Sequence, residues 1–593
     1  MRGRRRPVPG ARAGGGANLH QPRCDYDRGV SDPLTVEAQL PASLGAAVGR
    51  RLQAAAEARV HERLLAADAT LWAPPGTPEV ADRLGWLDIS ERMLAQVGEL
   101  RAFADGVRDD GIRDVVLLGM GGSSLAPEVL RRCFARLPER PALHVLDSTD
   151  AATVRAVGAS VQGQRTLFLV SSKSGGTIEP LSLFAHFWSL TPAGANFAAI
   201  TDPGSGLERL AREHGFRHTF HGDPNIGGRY SALSAFGMVP AALMGVDLEP
   251  LLRDAPLAWH TPAAASQEVA GAQPHAATAG PGAVWLGVAL SALAAAGRDK
   301  LTFVISGTLP GLGLWLEQLV AESTGKLGRG ILPVAEEPLG GPEQYGEDRV
   351  FAYLPDLQAR DRQLEAAVGA LGEHGHPLIT IPTRGPADLG RVFMLWEIAV
   401  AVAGWGLQIN PFDQPNVQQA KDATKRVLAE YERSGELPRA ADADADADAD
   451  ALGALLDAAA PPAYIALMGY LKASPELDAA VRELRAALRA RTGATTTFGY
   501  GPRFLHSTGQ FHKGGPKTGR FLQLLFDEPP DVAIPGAAYG FTTLKDAQAI
   551  GDLQTLRELG LPAERLSLRG DPAAAVSALA ASNGHAGAAR RSA

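Results

Sequence analysis

The stretch Thr166–Phe184, TLFLVSSKSGGTIEPLSLF, decides the fold of this chain. Its first five residues form an apolar run with a β-branched end, which is typical of a fully buried strand, and a loop rich in serine and glycine follows. The residues after Thr177 have the character of a helix. A strand, a tight loop and a helix in this order predict one unit of a parallel α/β sheet.

The loop between this strand and this helix suits a phosphate group. Small residues let backbone N–H groups approach an anion, the helix N-terminus adds the positive end of its dipole, and Lys173 adds a full charge. The alternative is an ordinary βα turn with a solvated lysine. Because the sequence lacks the motif G-x-x-x-x-G-K-[ST], a small phosphorylated molecule fits better than a nucleoside triphosphate.

Composition narrows the class of protein. The chain has 593 residues, a net charge of −8, 45% hydrophobic residues and 21% charged residues, as expected of a globular protein with more than one core. The charge is spread along the chain, which points away from a nucleic-acid partner. Two cysteines cannot form a disulfide framework, and the Arg-rich start has no apolar segment of a secretory signal behind it. A cytoplasmic location is therefore expected.

Two apolar runs, Ala283–Gly297 and Val392–Leu407, resemble membrane spans at first sight. Both fall short of the roughly 18 unbroken apolar residues that a span requires. We therefore predict that they are buried helices, and we expect no membrane partner.

Strands alternate with helices along most of the chain, which predicts two doubly wound parallel sheets. The last segment has the order βαββαβ, which suggests a ferredoxin-like α+β extension. The repeat Ala441–Asp450 could chelate a cation or form a solvated linker, and the linker is favoured. The predicted segments are a disordered arm (1–40), a helical layer (41–110), a first α/β domain (111–265), a second (280–432), a linker with the Ala-Asp repeat (433–460), the extension (461–572) and a disordered tail (573–593).

A second loop follows a strand of the first predicted sheet. GMGGSS, Gly119–Ser124, suggests a dinucleotide fingerprint with Asp147 as the acid for a ribose, but Ser124 stands where that fingerprint needs a third small residue for close helix packing. The loop is equally suited to contacting a sugar through Gly122 and Ser123. Ligands of parallel sheets lie at the C-terminal ends of strands, where this loop and SSKSGGT both fall.

Two stretches offer a fixed cation and a base. IGGRYS, Ile226–Ser231, leaves room for a ligand beside Arg229, which could hold an oxyanion or could instead bind backbone carbonyls as a structural residue. In WLEQLVAESTGK, Trp315–Lys326, Glu322 lies in the last helical turn, where the dipole disfavours a carboxylate. Such a conflict often marks a functional site, although an ion pair between Glu322 and Lys326 is the alternative.

Five motifs in their order resemble the phosphoglucose isomerase family: GMGGSSLAP, SSKSGGTIE, IGGRYS, ESTGK and INPFDQPNVQQAK. The last motif, Ile409–Lys421, is the most specific, and the similarity covers residues 84–428. The later stretch HSTGQFHKGG makes the layout most like the isomerase half of bifunctional transaldolase/glucose-6-phosphate isomerase proteins. No transaldolase barrel precedes these motifs, so aldol chemistry is not expected from this chain.

The resemblance implies two sugar-isomerase (SIS) subdomains, a homodimer, sugar-phosphate substrates, and neither a cofactor nor a metal. It implies interconversion of glucose 6-phosphate and fructose 6-phosphate through a cis-enediolate. Glu322 would be the base, Arg229 would stabilise the enediolate, and Lys421 would assist at the ring oxygen. The implied substrate-binding residues are Gly122, Ser123, Ser172, Lys173, Ser174, Thr177, Gln318 and Gln414.

The family's ring-opening histidine is missing from its usual place. The matching stretch, Gly340–Leu354, contains no histidine. Our hypothesis is that His506 or His512, in HSTGQFHKGG, takes over this role, with His506 preferred. The alternative is that Lys421 and water suffice and that both histidines are structural.

Two other function classes stay open at this point. One is a non-catalytic phosphosugar-binding SIS protein, although a sensor has no need of Glu322. The other is a nicotinamide oxidoreductase that depends on GMGGSS and Asp147. Activity on mannose 6-phosphate is a narrower possibility within the isomerase class.

Overall fold

The computed structural model describes residues 34–161, 165–265, 281–438, 453, 455, 456 and 458–591. The first 33 residues of the predicted arm and the repeat Ala441–Asp450 lie outside this part of the chain. The described residues form three parallel-type sheets with helices packed around them. The expectation of two doubly wound parallel sheets is confirmed. The extension also forms a sheet, but its strands do not have the expected ferredoxin-like arrangement.

The chain enters the fold through a short strand and a layer of helices. The strand β1 (Val36–Gln39) alternates buried and exposed residues, and it pairs with strands of the second sheet. The prediction of disorder up to residue 40 is wrong here, because this period-two pattern buries Val36 and Ala38. The helices of the layer are α1 (Ala42–Glu57), α2 (Val60–Leu65), α3 (Ile89–Leu94) and α4 (Val97–Asp109).

The first sheet has five parallel strands. They are β2 (Asp114–Gly119), β3 (Ala142–Leu146), β4 (Thr166–Ser171), β5 (Phe197–Thr201) and β6 (His218–His221). Their order in the sheet is β3-β2-β4-β5-β6, and Gly119 at the end of β2 pairs with Ser171 at the end of β4. The helices of this unit are α5 (Leu125–Cys133), α6 (Ala151–Val161), α7 (Ile178–Leu190), α8 (Gly206–Glu213), α9 (Ala235–Met244) and α10 (Leu248–Asp254). This topology places the loops after β2 and β4 side by side.

The second sheet has six strands. The four that follow β1 and β7 (Ala263–Ala265) are β8 (Lys300–Ile305), β9 (Leu332–Val334), β10 (Arg349–Leu354) and β11 (Leu378–Thr380). The order is β7-β1-β11-β10-β8-β9, with one antiparallel pair, β1 with β11. The helices are α11 (Gly282–Ala295), α12 (Leu312–Thr324), α13 (Arg362–Glu373), α14 (Leu389–Leu407) and α15 (Pro415–Ser434).

The two apolar runs of the sequence form α11 and α14, which pack against each other. The segment Gly385–Leu407 is long and apolar enough to cross a membrane by composition alone. Nearly all residues of α11 and α14 are buried inside the protein. The prediction of buried helices is therefore confirmed.

The third sheet is not ferredoxin-like. Its strands are β12 (Tyr464–Tyr470), β13 (Thr495–Tyr500), β14 (Gly519–Leu525) and β15 (Ala563–Ser567), in the order β13-β12-β14-β15 and all parallel. A ferredoxin-like sheet needs antiparallel neighbours. Here the segment between β13 and β14 folds into a 3₁₀ turn, Arg503–His506, and a short helix, Gly509–Gly514, which together carry the chain back across the sheet. The helices are α16 (Pro475–Thr492), α17 (Gly509–Gly514), α18 (Phe541–Glu558) and α19 (Pro572–Arg591).

The predicted disordered tail is also wrong. Residues from Pro572 to Arg591 form α19, which packs on α16. Val576 and Ala580 are buried in the core of the third unit, and Asn583 accepts a hydrogen bond from Arg491. The many small residues of this segment therefore allow two helices to pack closely and do not indicate disorder.

Candidate active site

Glu322 and Arg229 form a buried ion pair between the first two units. Oε2 of Glu322 lies 3.2 Å from Nη1 of Arg229, and their side chains are 9% and 1% exposed. Glu322 lies in the last turn of α12, as the sequence predicts. The alternative pairing with Lys326 does not describe the site, because the Lys326 ammonium binds Asp413. A carboxylate and a fixed guanidinium therefore meet at one point.

The environment of Glu322 favours proton exchange. Burial raises the pKa of this carboxyl group, and the charges of Arg229 and His506 and a hydrogen bond with Gln318 offset part of the rise. A general base works best when its pKa lies near the operating pH. The surroundings of Glu322 thus move its pKa in the direction that a base requires.

Arg229 is held rigidly by several acceptors. Its Nε donates to Oγ of Ser323 at 2.8 Å, and Nη1 donates to Oε1 of Gln414 at 2.6 Å. Nη2 donates to the carbonyl oxygens of Pro411 and Asp413 at 2.7 and 2.9 Å. Arg229 therefore binds backbone carbonyl oxygens, which is the structural role named as the alternative from the sequence. It also contacts Glu322, so both roles apply to the same side chain. A guanidinium fixed in this way is preorganised to meet a developing negative charge.

Lys326 braces the turn that carries Gln414. Its Nζ donates to the carbonyl oxygens of Asn410 and Asp413 at 2.7 and 2.6 Å and to Oδ1 of Asp413 at 2.7 Å. Burial lowers the pKa of Lys326 to about 8, and Arg229 contributes to the same shift. The ESTGK and INPFDQPNVQQAK motifs are thus linked through one ammonium group.

The GMGGSS loop lies against the arginine loop. A Cβ atom on Gly122 would overlap the carbonyl oxygen of Gly228, so this close approach requires a glycine. Oγ of Ser231 donates to the carbonyl oxygen of Gly122 at 3.5 Å. Gly122 and Ser123 are buried at this contact, which lies one residue before Arg229. The two predicted sugar-contacting residues are therefore close to the ion pair.

Three hydroxyl groups of the predicted phosphate loop lie close together. Oγ of Ser172 lies 3.2 Å from Oγ1 of Thr177, and Oγ of Ser174 lies 3.5 Å from the same atom. The Lys173 ammonium does not join these hydroxyl groups. It donates to Oδ2 of Asp202 at 2.7 Å and to the carbonyl oxygen of Asp223 at 2.6 Å. Three hydroxyl groups thus converge at the N-terminus of α7, while the lysine side chain joins this loop to its neighbours.

His506 reaches the site from the third unit. Its Nε2 lies 2.9 Å from Oε1 of Glu179 in α7, and its carbonyl oxygen accepts a hydrogen bond from Nε2 of Gln318 at 2.9 Å. Burial works against ionisation of Glu179, but His506 and, more weakly, Lys421 outweigh it and lower the pKa of the carboxyl group. Lys421 is exposed on α15. Glu179 and His506 therefore form one group next to Glu322, and the charge of Lys421 acts on its carboxylate.

His512 is not part of this group. It is buried in the third unit, and its Nδ1 lies 2.9 Å from the hydroxyl of Tyr464. Burial, reinforced by the charge of Lys513, lowers the pKa of His512 to about 3, so the ring is neutral near pH 7. Of the two histidines that the sequence offered, only His506 lies at the site.

Asp147, the acid of the dinucleotide alternative, is already engaged. Its carboxylate accepts hydrogen bonds from Nε and Nη2 of Arg503, both at 2.7 Å. Oγ of Ser124 donates to it at 3.3 Å. In this structure Asp147 serves to join the first and third units.

The phosphoglucose isomerase family model matches residues 87–268 of the chain. A glucose-6-phosphate isomerase from Rubrobacter xylanophilus is 30% identical over 438 residues, which cover 64% of this chain and 94% of that protein. The chain belongs to the phosphoglucose isomerase family. A glucose-6-phosphate isomerase from Thermus thermophilus is 27% identical over 402 residues, which cover 59% of this chain and 91% of that protein.

Solved structures agree on the phosphoglucose isomerase fold. A hypothetical protein from Thermus thermophilus superposes with a TM-score of 0.53 at 24% identity, covering 66% of this chain and all of that one. A glucose-6-phosphate isomerase from Chlamydia trachomatis superposes with a TM-score of 0.50 at 17% identity, covering 66% of this chain and 86% of that one. The comparisons do not favour the alternative of a non-catalytic binding protein.

Sequence reasoning missed three residues of this phosphoglucose isomerase site. Glu179 is the partner of His506, Gln548 donates from Nε2 to Oε1 of Glu179 at 2.7 Å, and Gln510 bonds α12 to α15. The sequence does contain a signal for Glu179, because this residue ends the SSKSGGTIE motif and lies in the first turn of a helix. The sequence contains no such signal for Gln510 and Gln548, because the residues that they contact are far away in the chain.

Proposed function

We propose that the chain is a glucose-6-phosphate isomerase that interconverts glucose 6-phosphate and fructose 6-phosphate, a step of glycolysis and gluconeogenesis. The observation that carries the proposal is the buried pair of Glu322 and Arg229, 3.2 Å apart. Aldose–ketose isomerisation needs one carboxylate that moves a proton and one fixed positive group that meets the oxyanion. The names of the relatives support the same reaction.

The substrate would be anchored by its phosphate. The hydroxyl groups of Ser172, Ser174 and Thr177 and the backbone N–H groups at the start of α7 would bind it. Lys173 would act through its ion pair with Asp202, which holds the loop in place. Gly122, Ser123, Gln318 and Gln414, which surround the Glu322–Arg229 pair, would orient the sugar chain.

Proton transfer would then occur at Glu322. In the direction from glucose 6-phosphate, the carboxylate takes the proton from C2 of the open chain, a C1–C2 double bond forms, and the carbonyl oxygen on C1 becomes an oxyanion. Arg229 stabilises this cis-enediolate because its guanidinium is already fixed by Ser323 and Gln414. Return of the proton to C1, with exchange of the hydroxyl proton between the two oxygens, gives the 2-ketose.

Ring opening would use His506 and Lys421. The Glu179 carboxylate accepts a hydrogen bond from Nε2 of His506, which leaves Nδ1 as the nitrogen able to exchange a proton with the ring oxygen. Lys421, whose positive charge acts on Glu179, would assist at the ring oxygen. In the alternative, Lys421 and water open the ring and His506 is structural, and the kinetics of His506→Asn distinguish the two.

The decisive experiment measures isomerisation of fructose 6-phosphate in the presence of a metal chelator. We expect a metal-independent rate that falls roughly 10²–10⁴-fold in Glu322→Gln, the contribution typical of a positioned base. Glu317→Gln is the matched control, because Glu317 is a buried carboxyl group on the same helix that binds the backbone N–H of Ala335 instead. Equal losses in both variants, or a chain that binds fructose 6-phosphate without converting it, would overturn the proposal.

The homodimer and the cytoplasmic location that the family resemblance and the composition suggest belong to the same proposal. Sedimentation velocity would test the dimer. An oligomeric state other than two chains would leave the catalytic assignment intact, because Glu322 and Arg229 come from one chain.

A further inference from the structure

The third unit, residues 464–591, meets the isomerase site through a compact segment next to α12 and α15. This segment is the 3₁₀ turn Arg503–His506 followed by α17, and it lies between β13 and β14. α17 contacts α12 and α15, the two helices that carry Glu322 and Lys421. The third unit therefore touches the site itself.

Gln510 in α17 joins the two catalytic motifs. Its Nε2 donates to the carbonyl oxygen of Gly325 at 2.9 Å and to Oδ1 of Asn416 at 2.8 Å, and its Oε1 accepts from the backbone N–H of Asn416 at 2.9 Å. Gly325 follows Glu322 by three residues, and Asn416 follows Gln414 by two. Gln510 is fully buried. One side chain of the third unit thus fixes the ends of both motifs.

The residue after Gln510 packs directly against the end of α12. A Cβ atom on Gly325 would overlap Cα of Phe511, and Phe511 is buried in the third unit's core. The backbone of α17 therefore approaches the end of α12 as closely as a glycine permits.

A second set of buried contacts joins the third unit to the first. Oγ1 of Thr149 donates to Oε1 of Gln548 at 2.7 Å, and Gln548 in turn binds Glu179. Nearby, the Lys545 ammonium lies 3.1 Å from Asp150. Breaking a hydrogen bond or an ion pair whose two partners are both buried leaves unpaired polar groups away from water, so these contacts favour a fixed position of the third unit against the first.

We propose that the third unit completes the isomerase site in cis, so that each chain carries its own acid–base residue, His506, on its own Glu179. The proposal deepens the proposed function and depends on it. Gln510 and Gln548 are positioning residues, because they act through Glu322, Gln414 and Glu179. Each chain is then a self-sufficient catalyst whether or not it dimerises.

Mixing two inactive chains tests this assignment. Full-length Glu322→Gln and His506→Asn chains would be co-expressed with different tags, purified together and assayed with fructose 6-phosphate. A site built from one chain predicts an activity equal to the average of the two separate variants. A site shared between subunits would instead restore about a quarter of the wild-type sites in a random mixture of dimers, and that recovery would overturn the proposal.

A second pair of variants keeps the test decisive if His506→Asn folds poorly. Gln548→Leu removes the hydrogen bond to Glu179 from α18 and is mixed with Glu322→Gln in the same way. Specific activity of the wild-type chain should also stay constant on dilution from micromolar to nanomolar concentration, and a fall on dilution would contradict a self-sufficient chain. Absence of wild-type isomerase activity would be the separate failure of the proposed function.

Discussion

Nε2 of His506 lies 2.9 Å from Oε1 of Glu179, although 327 residues separate the two in the chain. The histidine comes from the third sheet and the glutamate from the helix that follows the phosphate loop. A carboxylate bound to one ring nitrogen fixes the orientation of the imidazole and leaves the other nitrogen for proton exchange. This relationship turns a histidine in an appended unit into a candidate acid–base residue of the isomerase site.

The first prediction separates His506 from His512. We expect His506→Asn to lower kcat on fructose 6-phosphate by roughly 10²-fold, the lower end of general acid–base effects, with a small change in thermal stability. His512→Asn should leave kcat unchanged and lower the melting temperature, because it removes the buried hydrogen bond with Tyr464. Steady-state kinetics and a thermal melt of each variant check both statements.

A substrate that cannot cyclise refines this test. A tetrose 4-phosphate has no hydroxyl group free for ring closure, so it needs no ring opening. If His506 opens the ring, His506→Asn should lose much less activity on this substrate than on fructose 6-phosphate. Equal losses on both substrates would assign His506 to another step, and unchanged rates would leave ring opening to Lys421 and water.

The second prediction concerns Lys173, whose ammonium binds Asp202 at 2.7 Å. If the lysine side chain serves to hold the loop, Lys173→Met and Asp202→Asn should each raise KM by a similar factor, about tenfold for a loss of about 1.4 kcal/mol. The double variant should be no worse than either single one, because both changes remove the same contact. Inhibition by inorganic phosphate measures the effect on the anion site alone.

A direct contact between Lys173 and the phosphate has the opposite signature. Loss of the lysine would then weaken phosphate binding, while loss of the Asp202 charge would leave binding unchanged or tighten it. Ser174→Ala provides the reference for a loop residue whose hydroxyl faces Thr177. The KM of Ser174→Ala should rise, and the rise should be the same whether or not Asp202→Asn is also present.

Sequence patterns predicted the first two sheets because their strands are short, apolar and followed by glycine-rich loops. The same patterns failed in the third unit, where strand direction depends on what lies between β13 and β14. The stretch HSTGQFHKGG contains three glycines, which disfavour a helix, yet α17 forms because Phe511 is buried against the third sheet's core. Tertiary packing overrode local propensity there.

The candidate site was predictable where one residue had a local reason to be unusual. Glu322 at a helix C-terminus and Arg229 after two glycines are examples, and the structure brings them together. The partner of Lys173 was not predictable, because Asp202 and Asp223 are separated from it by whole strands. Gln510 and Gln548 carry no local conflict, so only the three-dimensional contacts identify them.

The third prediction uses Glu317, the neighbour of Gln318 on α12. Burial raises the pKa of Glu317 to about 8, and Arg485 and a hydrogen bond from the backbone N–H of Ala335 offset part of this rise. Between its ordinary value of 4.5 and about 8, the folded protein keeps a proton that the unfolded chain has lost. The contribution of Glu317 to the free energy of unfolding therefore falls as pH rises through this window.

Glu317→Gln should remove this dependence, because glutamine cannot lose a proton. We expect the difference in free energy of unfolding, wild type minus variant, to decrease by up to about 1.4 kcal/mol per pH unit through the window and to level off above it. Urea unfolding of both proteins at a series of pH values measures the difference, and activity at neutral pH should be equal because Glu317 faces Ala335 and Arg485. Parallel stability curves would mean that Glu317 is charged in the folded protein, and the electrostatic attraction of Arg485 would then have to be strong enough to offset complete burial.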